Sequence, residues 1–538
     1  MLNTIVVLAI VLLVGITLRF YRLKQRGLLH FDDGLRMLEV VFLHDLFDFL
    51  KNNKAVILAK KKIDIKSVSD NFRGRFLFDT NPLNIFIYFF SSKIINNIEY
   101  SALYANAFLG IFGILGTYFT ATLMFGNHFI GLFSALFIAV SGYHLVYSRS
   151  IHAEITCGTF YIWATYFYIL SYKTGALFYL LISGFFIGFA FCCNSRQFYM
   201  PLFFIFWEIM AAFKFSFTAD LIITRLILLA LSMTAPLFLI EEVFVILKEF
   251  NYPYPTFFRQ LFFRTGNFSL PTLRFPFLKM YLGIIIEYEG VVIPFFLLAG
   301  AVFLLKNVSF EAVILLTQFL VPLLFWSGRP DISREQANAI DDGTGGYAYA
   351  LPRLISSSQY SMAIISAFGL VTLLNLSQDV KLIYILFAAI LIIRIIGLLK
   401  IIGVKSGYKQ AAKFILASNN PKHISFCYPN SEFFTSKENA LDVSYIKSEE
   451  DFIKLYKEQK VRYVLYSDFL YANLYNSIAV KPLIDKIIIE TQPVFSIGMG
   501  MGNIKAIYLE EYNSPWVKMF KDDKIKIYDL KNYFDKIP

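Results

Sequence analysis

The sequence predicts a polytopic α-helical membrane protein with about eleven transmembrane helices and a C-terminal soluble α/β domain. Three observations carry this. The 538 residues are 57% hydrophobic and only 17% charged, where a soluble chain carries roughly 25% charged residues. Up to about residue 400 the chain is a series of apolar runs of roughly 17–25 residues, the length that crosses about 30 Å of hydrocarbon. From Gly403 onward Lys, Glu, Asp and Asn mix with short apolar stretches, as in a water-soluble domain. The composition excludes an ordinary soluble enzyme, a disordered chain and a nucleic-acid binder, despite a net charge of +11. Cys157, Cys192 and Cys193 sit in apolar runs and Cys427 stands alone, which is no disulfide framework.

Taken in order, the expected spans are 2–18, 101–125, 129–147, 155–172, 177–193, 199–213, 221–240, 291–305, 312–326, 360–376 and 382–399. The first has no basic leader or small-residue cleavage site and is followed by Arg19, Arg22, Lys24 and Arg26, so it reads as an uncleaved anchor. A shorter run, 83–95, opens with Asn81-Pro82 and reads as a re-entrant or interfacial helix. The membrane part is residues 1–402 and the extracytoplasmic domain 403–538. With the N-terminus inside, the acidic stretch after span one, the turn at 148–154, the loops 248–290 and 327–359, and the C-terminal domain all emerge on the outer face of the cell membrane. The distribution of Lys and Arg does not select this orientation. In either orientation the polar residues gather at one face.

Two acidic stretches stand out there. The first is His30-Phe31-Asp32-Asp33-Gly34. Adjacent carboxylates near lipid repel one another, which raises one pKa and suits a group that must accept a proton. The same residues also suit a helix N-cap, with Asp33 ahead of Leu35-Arg36-Met37-Leu38. The second stretch is Tyr147-Ser148-Arg149-Ser150-Ile151-His152-Ala153-Glu154. Charges at such a membrane turn mark a functional site, or an Arg149–Glu154 ion pair that sets helix depth.

The order of motifs resembles the GT-C glycosyltransferases, in particular the protein-mannosyltransferase and aminoarabinose-transferase-like group. Leu18-Arg19-Phe20-Tyr21-Arg22-Leu23 followed by Phe31-Asp32-Asp33-Gly34 is similar to that group's first span and acidic loop. Gly131 to Leu136, leading to Ser141-Gly142-Tyr143 and Tyr147-Ser148-Arg149, resembles its third span, with Glu154 as the second acidic residue. Gly184 to Ala190 through Asn194-Ser195-Arg196 and the later Pro352-Arg353 also resemble its motifs. The chain departs where a basic residue or His before Pro-Pro-Leu is usual and Asp79-Thr80-Asn81-Pro82-Leu83 stands instead, and where Leu354 replaces a Tyr.

The resemblance implies transfer of a sugar from a polyprenyl-phosphate donor to a lipid, glycan or protein acceptor, among membrane lipids. Asp32 or Asp33 would be the general base and Glu154 the second acid, with inversion at the anomeric centre. Arg149, Arg196 and Arg353 would hold the leaving phosphate, with Arg73 or Arg75 in place of the displaced cation. His30-x-Asp32 and His152-x-Glu154 could also hold a divalent metal such as Mg or Mn.

Residues 331–349 are polar and glycine-rich, suited to a lid. The 403–538 part alternates helix and strand patterns, with strands expected at 423–427, 461–466, 494–498 and 504–509 and a hairpin at 498–502. A transporter or flippase of a lipid-linked or small polar solute is the alternative class. It predicts internal repeats and midplane charges, whereas here the charges cluster at span ends.

Overall fold

A computed structural model describes residues 2–29, 31–53, 82–249, 256–265, 275–328, 352–375, 380–443, 446–467, 480–499 and 524–535. The first helix, α1 (Leu2–Phe20), is apolar throughout. A four-residue turn of helix, α2 (Leu23–Arg26), leads into the amphipathic α3 (Phe31–Asn52). The expected apolar runs form helices over their described residues, with one exception at 129–147. Among the described residues, five helices are long and apolar enough to cross a bilayer: Thr4–Arg26, Ile98–Phe125, Ala219–Glu249, Phe310–Ser327 and Ile355–Leu374. The chain is an integral membrane protein. Pro82–Ile95, Leu177–Cys193, Val292–Lys306 and Ile385–Leu399 are shorter apolar helices.

The run expected as one span over 129–147 is broken. His128–Ala139 and Gly142–Ser148 meet at 58°. Ser141 starts the second piece by accepting a hydrogen bond on its hydroxyl from the His144 amide, as an N-cap does. The break leaves carbonyls without helical partners, and hydrocarbon offers none. Arg19 supplies them, donating to Ile138 O and Ala139 O at 3.1 Å each. Arg394 donates to Val140 O at 3.2 Å. Arg19 Nη2, which donates to Ile138 O, also lies 2.7 Å from His144 Nδ1, and His144 Nε2 lies 3.1 Å from the Tyr360 hydroxyl. This polar chain is wholly buried.

Small residues set the helix crossings, as expected where apolar burial gives helices in lipid no preference for one another. At Gly188 an added Cβ would lie 2.3 Å from Met233 O and 2.8 Å from Pro236. Only a glycine lets Leu177–Cys193 lie this close to Ala219–Glu249.

The 248–290 stretch, expected as a loop, contains helices Phe257–Thr265 and Phe275–Glu289 among its described residues. Pro276 falls in the first turn of the latter, where proline is tolerated because its missing N–H has no helical acceptor to lose.

After the helix Val380–Ile402, the C-terminal residues build a mixed five-stranded sheet, ordered β2 (Ala440–Asp442), β1 (His423–Ser425), β3 (Tyr463–Ser467), β5 (Lys524–Asp529), β4 (Phe495–Gly498). β1 pairs in parallel with β2 and β3, whereas β5 runs antiparallel to both β3 and β4. β2 and β5 were not expected. The strand expected at 504–509, and the expected glycine hairpin from residue 500 on, lie outside the described residues. The helix Tyr428–Thr435 packs against α3, so the soluble domain sits on the first acidic stretch.

Candidate active site

The chain turns into α3 through Gly27, at φ +58°, a left-handed conformation that favours glycine. That turn aims Arg26 back at Asp33. Arg26 Nη1 donates to Asp33 Oδ2 at 3.0 Å, the Leu29 amide donates to the same oxygen at 2.9 Å, and the Ile151 amide donates to Oδ1 at 3.1 Å. Asp33 is fully buried. It does not precede its helix as a cap. It lies in the first turn of α3 and holds the chain on either side of it. The Ile151 contact joins the two acidic stretches.

Asp32, its neighbour, is half-buried. It lies in the first turn of α3, where the helix dipole favours a carboxylate. One turn on is Arg36, 3.1 Å from Glu39. Burial opposes the Arg36 charge, but Glu39 and Asp32 outweigh it and hold the guanidinium above its usual pKa. Arg36 and Arg26 were not singled out from the sequence. The signal was the four-residue spacing of Asp32 and Arg36, which places both on one helix face.

The second stretch forms a turn held from below. Asn106 donates to Ser150 O at 2.6 Å and His152 O at 2.9 Å, while Tyr88 donates to Asn106 Oδ1 at 3.2 Å. Asn84 and Thr156 extend the network. Glu154 lies in the first turn of Ala153–Thr174, buried, with its carboxylate 3.8 Å from His152 Nδ1. Among the described residues no third His, Cys, Asp or Glu joins that pair in a metal-sized group.

Arg149, expected at the leaving phosphate, reaches the end of α1 with one guanidinium nitrogen. Its Nη1 donates to Leu18 O, Arg19 O and Tyr21 O at 2.9, 3.0 and 2.9 Å. These are among the carbonyls left open at the C-terminus of α1, so the guanidinium caps that helix. Arg196 lies in the short 3-10 turn Ser195–Gln197 and Arg353 in the 3-10 turn Pro352–Ser358. The two turns pack against each other, and Tyr199, just beyond the first, reaches Ser357 of the second at 3.1 Å. Cys192, at the end of the preceding helix, shares an apolar cluster with Tyr88 and Ile151. Thus the turn bearing Arg196 follows directly from the floor of the acidic site. The side chains of Arg196 and Arg353, together with Arg73, Arg75, His30 and the 331–349 segment, lie outside the described residues.

The chain shares the fold of two solved structures, an archaeal oligosaccharyltransferase and ArnT. A family model described as dolichyl-phosphate-mannose-protein mannosyltransferase matches residues 79–240, a stretch that includes Arg149, Glu154 and Arg196. Among solved structures, the oligosaccharyltransferase AglB from Archaeoglobus fulgidus, in complex with an inhibitory peptide and a dolichol-phosphate, superposes with a TM-score of 0.52 at 13% identity, over 86% of this chain and 69% of that one. ArnT from Cupriavidus metallidurans, bound to undecaprenyl phosphate, gives 0.50 at 11% identity, over 88% of this chain and 95% of that one. No curated protein matches the sequence.

Proposed function

We propose that the protein is a membrane glycosyltransferase that moves a sugar from a polyprenyl-phosphate donor to an acceptor at one membrane face. One observation carries the reading. The Asp33–Ile151 hydrogen bond joins the two acidic stretches at the ends of apolar helices, where a donor with its tail in lipid would present its phosphate. The fold is shared with proteins solved with dolichol-phosphate and undecaprenyl phosphate.

In this reading Asp32, half-buried and in the first turn of α3, is the general base that takes the proton of the acceptor nucleophile. The nucleophile attacks the anomeric carbon opposite the phosphate, the carbon–oxygen bond to the phosphate breaks, and the configuration inverts. Asp33 is a positioning residue, because among the described residues its carboxylate is held by Arg26 and by the Leu29 and Ile151 amides. Glu154 is the second acid, facing His152. Negative charge growing on the leaving phosphate needs cations fixed in advance. Arg196 and Arg353 serve there, with Arg75 a further candidate. Arg149 contributes by holding the end of α1.

A divalent cation, Mg or Mn, would find two ligands in His152 and Glu154 and take the rest from phosphate oxygens and water, as such ions do. It would neutralise charge on the leaving phosphate. The acceptor is a lipid, a glycan or a protein, and the site faces the outside of the cell membrane.

The test is native mass spectrometry of the detergent-purified protein beside its Asp32→Asn variant. A polyprenyl-phosphate sugar retained more strongly by the variant supports transfer and names the donor. Specific retention of a phospholipid or another solute, with no such donor in either sample, overturns it in favour of a transporter.

A further inference from the structure

Where the soluble domain meets the membrane helices there is a cavity of about 560 Å³, lined among others by Lys24, Lys405, Lys409, Lys413, Glu99 and Tyr100. Its walls are tied together by main-chain bonds. The Ser406 amide donates to Arg26 O at 2.7 Å, and the Lys405 amide donates to Met499 O at 3.0 Å. Four ammonium groups meet one carboxylate here. Glu99 is already engaged by Lys409, which also donates to the Tyr100 hydroxyl at 2.9 Å. Lys24 lies 5.6 Å from the Tyr100 ring centre. Among the described residues Lys24, Lys405 and Lys413 have no carboxylate partner.

Like charges gathered around a concave wall raise its potential and draw in anions, whereas lysines spread over an open surface are simply hydrated. The height of the cavity also matters. α1 ends just before Lys24, the helix Ile98–Phe125 begins at Glu99 and Tyr100, and the helix Val380–Ile402 ends just before Lys405. Membrane helices end at this level, so the cavity lies at the level of lipid headgroups. We propose that this cavity binds a phosphate-bearing anion that clamps the soluble domain to the membrane helices. The site goes beyond the sugar-transfer reading and does not depend on it. A phospholipid headgroup and a free phosphate share the chemistry that these lysines recognise.

The test uses the full-length protein and the triple variant Lys24→Gln, Lys405→Gln, Lys413→Gln. None of these residues belongs to the proposed active site. Thermal unfolding is followed in nanodiscs of phosphatidylcholine alone, in nanodiscs doped with phosphatidylglycerol, and in detergent with added inorganic phosphate. Equal melting in neutral nanodiscs establishes that the variant folds, and a variant that melts lower there is replaced by the single changes. The expected result is stabilisation of the wild type by the anionic lipid, with apparent affinity about a hundredfold weaker in the variant. Stabilisation by phosphate in detergent, lost in the variant, supports the site and assigns it to the free anion. Equal responses of both proteins to both probes overturn it.

Discussion

The Asp33 carboxylate and the Ile151 amide, 118 positions apart in the chain, share a hydrogen bond of 3.1 Å. The other oxygen of the same carboxylate is held by Arg26 at 3.0 Å. The two aspartates of one dipeptide therefore have different work. One is built into the frame, and the other is set at its edge.

Replacing them separates the roles. Asp32→Asn is expected to lower sugar transfer by about 10²–10⁴-fold, the usual worth of a general base, with melting unchanged. Asp33→Asn leaves the buried Arg26 charge uncompensated, which costs about 3–5 kcal/mol. Thermal unfolding and transfer rate measured on both variants check this. Equal loss of stability in both would remove the distinction.

Arg149 is expected to behave as a cap. Arg149→Met strips the donor from three carbonyls at the end of α1 and should destabilise by a few kcal/mol, with donor affinity of the surviving folded protein unchanged. A donor titration run beside a melting curve checks it. A raised donor KM with normal melting would return the residue to the phosphate site.

Gly34 allows the soluble domain to approach α3. A Cβ there would lie 2.4 Å from the Asn430 amide nitrogen and 2.6 Å from the Pro429 carbonyl carbon, and backbone cannot step aside as a side chain tip can. Gly34→Ala is expected to lift the helix Tyr428–Thr435 from α3 at a cost of about 1–3 kcal/mol. Faster amide exchange in that helix, with the membrane helices unchanged, is the measurement.

His423 gives the soluble domain a pH dependence. Its ring is buried, with Nδ1 2.9 Å from Pro421 O and Nε2 against the Ser431 hydroxyl. Burial lowers its pKa from 6.5 to about 4. Between those values the unfolded chain binds a proton that the folded one refuses, so stability falls as pH drops from 6.5 toward 4 and levels off below. The loss is about 3 kcal/mol. His423→Gln should flatten this part of the melting profile against pH.

Much of the membrane part was legible because lipid imposes one rule, a long run of apolar residues, and the expected runs other than 129–147 form unbroken helices over their described residues. The meeting of the two acidic stretches was legible from the parity of those runs. Arg26 was not. It reaches Asp33 only because Gly27 reverses the chain, and no periodic pattern encodes a reversal. The break at Ser141 was hidden for a related reason, since residues 129–147 read as one apolar run and the groups that satisfy its open carbonyls, Arg19 and Arg394, lie far away in sequence. β5 was missed because its hydrogen bonds are made with β3 and β4, and its short alternating pattern of Lys and Ile carries little signal by itself.

The bent segment between His128 and Ser148 has a consequence for biosynthesis. Its exposed carbonyls are met from one side by Arg19, which is made early, and from the other by Arg394, which is made about 250 residues later. While the ribosome is still making the intervening helices, Val140 O waits for its guanidinium. The segment therefore completes its hydrogen bonding only when the helix Val380–Ile402 arrives. Truncation before Arg394 would leave a membrane domain that is inserted but unfinished, and a natural target for membrane quality control.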